Sequence, residues 1–202
     1  MMILRTSPPS PFGRKVNIAA AVLGLSDQIK IERADTIDPT DPVRRQNPLG
    51  KIPVLVLADG TALYDSRVIL EYLDHHAGGG RIIPAEPSAR FATLRLQALA
   101  DGILDAAILQ VYEGRWRAVA THEPKWLAHQ ADKVSRALSA LEADPPTLDS
   151  LPQVGQIAAA CALGYLDFRF DRTWRGAHPR LAAWLDAFAA KIPAYAATQV
   201  AA

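Results

Sequence analysis

The chain has 202 residues, half of them hydrophobic, and a formal net charge of +1. That length allows one large or two small domains with a substantial core, and the near-neutral balance gives no global field favouring nucleic acid or an anionic membrane. A single cysteine, Cys161, excludes an intrachain disulfide framework and any metal site built from several thiolates.

The first five residues are too short and too soon charged for a secretory leader. No apolar run approaches the ~20 residues of a membrane-spanning helix. The expectation is a soluble, cytoplasmic protein with no nucleic-acid or membrane partner. Residues 2–6 read as a short apolar strand broken by Ser7-Pro8-Pro9. Ser10-Pro11 then opens a helix, with serine at the N-cap and proline at N1, where its missing N–H costs nothing. Gly24 sits where that helix should end. Ile29-Lys30-Ile31-Glu32 alternates like a strand, and residues 35–46, with Pro39 and Pro42, should be irregular with one or two helical turns. The charge pairs Arg14-Lys15 and Arg44-Arg45 read as solvated faces.

The most informative stretch is Asn47-Pro-Leu-Gly-Lys-Ile-Pro-Val-Leu-Val-Leu-Ala-Asp-Gly-Thr-Ala-Leu-Tyr-Asp-Ser66. Asp59-Gly60 between apolar runs is a hairpin signal. Pro53 stands at a strand's first position, where a missing N–H is tolerable, and Ile52-Pro53 is a candidate cis bond. Asp65-Ser66 precedes Val68, Ile69, Tyr72 and Leu73, a helical spacing, and so marks a helix start. His75-His76 at that helix's end lacks the spacing of a helical metal pair and reads as a cationic helix terminus.

Gly78-Gly79-Gly80 with Pro84 and Pro87 predicts a flexible-to-stiff linker over 78–87. Beyond it every signal is helical. Residues 88–119 keep a helical period, with Gly102 as a possible kink. Residues 123–141 form a second amphipathic helix, stopped at Asp144-Pro145-Pro146. Residues 154–170 are apolar nearly all round, so they should be the central buried helix, with Cys161 a small core residue. A last helix begins at His178-Pro179.

Ile52-Pro53, Asp65-Ser66, the segments Ala98-Leu-Ala-Asp-Gly-Ile-Leu-Asp105 and Ala160-Cys-Ala-Leu-Gly-Tyr-Leu-Asp-Phe-Arg169, and the order of elements together resemble small bacterial glutathione transferase-like proteins. The resemblance implies an α/β thioredoxin-like N-terminal domain (1–77), a linker (78–87) and an all-α C-terminal domain (88–202). It also implies homodimerisation, glutathione as co-substrate, and attack of its thiolate on a small electrophile in an interdomain cleft, a detoxification type of transferase chemistry.

Site residues follow by position. Ser10, six positions before Val16, matches the catalytic hydroxyl of the serine classes. The physical logic is separate: only a thiolate attacks electrophiles, a free thiol has a pKa of about 8.5, and a hydroxyl donor at a helix N-terminus stabilises the anion. Ser10 also suits a helix cap, and Ser7 and Thr6 are the fallback hydroxyls. By the same resemblance Ile52, before cis-Pro53, offers its backbone to the cysteinyl part. Asp65 and Ser66 take the γ-glutamyl end, supported by Arg67, and Lys51 pairs the glycyl carboxylate. Asp101 reaches the γ-glutamyl group of glutathione on the partner subunit. Phe12 joins the glutathione site and, with Leu104, Ile108, Tyr112 and Tyr165, the apolar electrophile site; Trp116 is a further wall or cation–π candidate. A serine in place of the cysteine of the redox classes disfavours thiol-transferase chemistry. The alternatives are a glutathione-dependent isomerase or dehalogenase, or a non-catalytic interaction protein on the same fold. One departure from the family pattern stands out. Gln153-Val-Gly-Gln156 replaces the usual capping box of the buried helix, so a weaker start is expected there, with Ser150 or Asp149 substituting.

Overall fold

The computed structural model of the chain describes residues 1–200. Strands β1 (Met2–Thr6), β2 (Ile29–Arg33), β3 (Val54–Val56) and β4 (Ala62–Leu63) form one sheet in the order β2-β1-β3-β4. β1 and β2 are parallel, joined by helix α1 (Pro11–Val22), whereas β3 runs antiparallel to both β1 and β4. On β1, Met2, Leu4 and Thr6 are buried, the period-two pattern of a strand beneath a helix. Helices α1 and α3 (Ser66–His76) pack against each other. The short α2 (Val43–Gln46) lies against β3 through Val43, Ala34 and Val54, a separate small apolar cluster.

The remainder is helical: α4 (Pro87–Trp116), α5 (Pro124–Ala143), α6 (Val154–Arg169), α7 (Pro179–Lys191) and α8 (Pro193–Ala197). α4 runs as one helix through Gly102, which is exposed. α6 is the central helix, buried continuously from Val154 to Leu163. Its tightest contact is with α4: a Cβ on Gly155 would stand 2.5 Å from the Thr93 carbonyl oxygen. One hydrophobic cluster extends from Leu4 and Val16 through Leu104 and Ile157 to Phe188 and Tyr195, so sheet and helical regions share a core.

Two junctions carry contacts that the sequence reading lacks. Within the 78–87 linker, residues 80–83 are anchored. The buried Asp74 carboxylate accepts from the backbone N–H groups of Gly80, Arg81, Ile82 and Ile83, and both isoleucines are buried. α6 does not start weakly. Val154 donates to the Ile82 carbonyl and Gly155 to the Thr93 hydroxyl, while the Gln156 side chain accepts from the Gln153 N–H. Asp149 contributes at one remove, accepting from the Gln156 amide at 2.9 Å. Gln153 and Gln156 thus close a capping box of their own, and Ile82 and Thr93 from other elements meet the remaining donors of the helix start.

Candidate active site

The strand registers bring three separated segments to one end of the sheet. β3 pairs Val54 with Arg5, so Pro53 lies beside the end of β1, where the chain turns through Ser7-Pro8-Pro9 to Ser10. β4 pairs Leu63 with Leu55, and this returns Asp65-Ser66 to the same end. The Ile52-Pro53 bond is cis, as is Tyr64-Asp65. Asn47, buried, shapes the approach: its side chain donates to the Lys51 carbonyl and accepts from the Leu49 N–H. Ile52 itself makes no backbone pairing within the described residues, which leaves its N–H and C=O available to a ligand.

Ser10 is the N-cap of α1, its Oγ accepting from the Gly13 N–H at 3.1 Å. It donates to no acceptor among the described residues, and Phe12, in the first turn, has an N–H likewise without a partner. Ser10 lines a cavity of about 540 Å³ with Pro8, Pro9, Arg14, Tyr165 and Tyr195. Of the fallback hydroxyls, Thr6 is buried beneath Gly13, and Ser7 faces a different cavity. Cys161 also borders the Ser10 cavity, but burial pushes its thiol up to about 11, so it is no nucleophile.

At the start of α3, Asp65 is the N-cap and accepts from the Arg67 N–H, with Ser66 buried beneath. Arg67 donates from Nε to Asp101 Oδ2 at 2.9 Å, and Lys15 Nζ meets Asp101 Oδ1 at 2.6 Å. Lys15 and Asp101 are both without solvent exposure. This corrects two expectations. Lys15 is not a solvated charge, because α1 directs it inward under α4. Asp101 does not reach out to a ligand across a subunit boundary, because it is fully buried and both oxygens are taken; its influence runs through Arg67. Asp105, one turn further and exposed, is the carboxylate that faces out on that side. Partial desolvation and the Asp101 charge raise its carboxyl above the ordinary value, against the pull of Arg67 and Lys51. Lys51 is exposed on the loop before Ile52.

The electrophile-wall candidates divide. Tyr165 lines the cavity, Leu104 is wholly core, and Phe12 and Ile108 are half-buried against the core. Tyr112 is 40 % exposed on α4, and the Arg115 guanidinium lies over its ring at 5.2 Å rather than over the neighbouring Trp116. Lys15 is the residue that sequence reasoning missed near the site. A lysine after an arginine carries no local signal of burial.

Among the described residues no cluster of His, Cys, Asp or Glu is placed to hold a metal ion, and no helix is long and apolar enough to cross a membrane. Residues 9–76 match the profile described as the N-terminal domain of glutathione S-transferase, and residues 124–187 that of its C-terminal domain. An uncharacterized GST-like protein of Escherichia coli K12, YibF, is 35 % identical over 171 residues, covering 83 % of each chain. A glutathione transferase family member from Pseudomonas fluorescens Pf-5, solved with bound glutathione, superposes with a TM-score of 0.91 at 42 % identity over all of both chains. A glutathione S-transferase from Methylobacillus flagellatus KT, also glutathione-bound, gives 0.91 at 37 % identity with the same full coverage.

Proposed function

Because the chain belongs to the glutathione S-transferase family, we propose that it binds glutathione across the end of the sheet and uses Ser10 to hold the thiol as a thiolate for attack on an electrophile. The supporting observation is that Ser10 Oγ accepts from the helix it caps while its own proton is uncommitted at the edge of a cavity. That proton is donated to the sulfur. The Phe12 N–H and the positive end of α1 add to the stabilisation of the anion. The thiol proton leaves to solvent. The sulfur lone pair forms a bond to the electrophilic carbon, and either a leaving group departs with its electron pair or a π pair shifts to a neighbouring atom that is then protonated.

The remaining groups hold the tripeptide. Ile52 pairs its free backbone N–H and C=O with the cysteinyl residue, and cis-Pro53 fixes that edge. Asp65, Ser66 and the start of α3 receive the γ-glutamyl ammonium and carboxylate. Arg67, fixed by Asp101, completes the charge on that side, and Lys51 meets the glycyl carboxylate. The chain acts in the cytoplasm as a homodimer. Val68 and Phe91, 47 % and 68 % exposed, supply apolar surface on α3 and α4, which the Arg90–Glu71 ion pair joins.

Isothermal titration with glutathione, for the wild type and Ser66→Ala, tests this reading. Saturable binding weakened about tenfold in the variant, the size of one lost hydrogen bond to a charged group, is expected. No binding at millimolar glutathione would instead favour an interaction protein on the same fold.

A further inference from the structure

Two hydroxyls, those of Thr6 and Ser10, lie against the backbone of Gly13. Thr6 ends β1 with its main chain fixed: the strand pairs it with Arg33, and its carbonyl accepts from the Ala34 N–H at 2.9 Å. Strand alternation turns its side chain inward, where it is 4 % exposed. Its Oγ1 is buried and has no hydrogen-bond partner among the described residues. A Cβ on Gly13 would stand 1.8 Å from that Oγ1 and 3.4 Å from Ser10 Oγ. Both oxygens therefore lie beside the same glycine, whose N–H Ser10 accepts at 3.1 Å. Only glycine at position 13 leaves the Thr6 hydroxyl its place.

A hydroxyl shut away from water without a partner costs about 1–3 kcal/mol, and such a group in a folded protein calls for a reason. Packing alone is met by valine or alanine, neither of which carries an orphan. Ser10 supplies the reason. A hydroxyl has one proton to give and two lone pairs to fill. The Gly13 N–H fills one lone pair of Ser10, and the second accepts from nothing among the described residues. Thr6 holds an unspent donor beside it.

We propose that Thr6 is a positioning residue for the thiolate chemistry, its hydroxyl donating to the second lone pair of Ser10 when glutathione is bound. The inference rests on the reading of Ser10 as the donor to the sulfur. The two hydroxyls do not hydrogen-bond in this structure. Bonds of this kind are often long in a free enzyme and tighten in its complex. With Gly13 and Thr6 on its two lone pairs, Ser10 has one direction left for its proton, that of the sulfur. A donor behind an oxygen also polarises the O–H in front of it, so Ser10 becomes the stronger donor to the anion. Thr6 acts through Ser10 and touches neither glutathione nor the electrophile.

Ultraviolet titration of the glutathione thiol on the whole protein tests this in the wild type, Thr6→Val, Thr6→Ser, Ser10→Ala and Thr6→Val/Ser10→Ala. Thr6→Val should raise the bound thiol pKa by about 0.5–1 unit, and Thr6→Ser should keep the wild-type value. In the Ser10→Ala background the same valine should change nothing, since the residue it acts through is gone. S-methylglutathione, which has no thiol to ionise, should bind wild type and Thr6→Val equally. If the valine methyl crowds Gly13 and the variant folds poorly, Thr6→Ala removes the hydroxyl without crowding and should give the same shift. A wild-type thiol pKa in both hydroxyl-free variants would overturn the inference alone. So would an equal valine effect without Ser10, or S-methylglutathione binding weakened in both, since either would assign Thr6 to packing. A Ser10→Ala complex that keeps the full shift would overturn the reading of Ser10, and this inference with it.

Discussion

Lys15 Nζ stands 2.6 Å from Asp101 Oδ1, with neither side chain exposed, and this pair ties the first helix of the α/β region to the long helix of the all-helical one. The other Asp101 oxygen holds Arg67, whose side chain is 54 % exposed at the site. A buried ion pair adds little net stability over well-packed apolar groups, but removing one partner strands the other charge. Lys15→Met should therefore cost about 3–5 kcal/mol in denaturant unfolding. The double variant Lys15→Met/Asp101→Leu should recover much of that loss. Additive losses in the cycle would mean that the pair acts through packing rather than charge.

Gly155→Ala probes the closest approach of α4 and α6. Its new Cβ would meet backbone, the Thr93 carbonyl at 2.5 Å, and the Leu96 Cβ at 2.8 Å, neither of which can swing aside. A loss of about 1–3 kcal/mol is expected from this overpacking. Gly114→Ala, on an open face of the same α4 helix, should be neutral or mildly stabilising, as alanine is the better helix former. Equal effects in the two variants would contradict the close packing.

Glu142, at the end of α5, does the capping that α7 lacks from its own sequence. Its carboxylate accepts from the Arg180 and Leu181 N–H groups, because His178 at the N-cap offers no side-chain bond. Desolvation raises the Glu142 carboxyl, but those two N–H groups, helped by His178 and Arg180, lower it further, so the net position is below the ordinary 4.5. A folded pKa below the unfolded one means stability that is present above the unfolded value and lost as pH falls through the folded one. Thermal melts of Glu142→Gln should therefore lie below the wild type at neutral pH, and the gap should close in acid. A gap independent of pH would assign Glu142 a purely packing role.

Cys161 should resist thiol reagents in the native protein, since its thiol is buried and pushed up to about 11. Labelling with an aromatic disulfide should track unfolding in denaturant. Fast labelling of the folded protein would restore a thiol-based chemistry to the cavity.

The elements themselves were largely legible in the sequence because their signals are local. Ser10-Pro11, Asp59-Gly60 and Asp65-Ser66 each encode a cap or turn within a few residues, and all three sit where expected. What escaped depends on partners distant in sequence. The start of α6 is capped by Thr93 and Ile82 rather than by Gln153 alone. The glycine-rich 78–80 segment reads as flexible, yet Asp74 holds the residues after it. Lys15 carries no mark of burial until α4 supplies Asp101. Strand order and register, which gather Ser10, Pro53 and Asp65 at one end, are likewise properties of the assembled sheet.

The most direct test of the central claim is the thiol pKa of glutathione bound to the protein, followed by thiolate ultraviolet absorbance against pH, for the wild type and Ser10→Ala. The account predicts a wild-type value at least about one unit below the free thiol's 8.5, returning toward 8.5 in Ser10→Ala with glutathione still bound. Loss of the Gly13 N–H partner will also lower the variant's stability by about 1 kcal/mol, a cap effect read separately in unfolding. A wild-type complex with an unshifted thiol, or a Ser10→Ala complex that keeps the full shift, would contradict it and leave Ser10 as a helix cap alone.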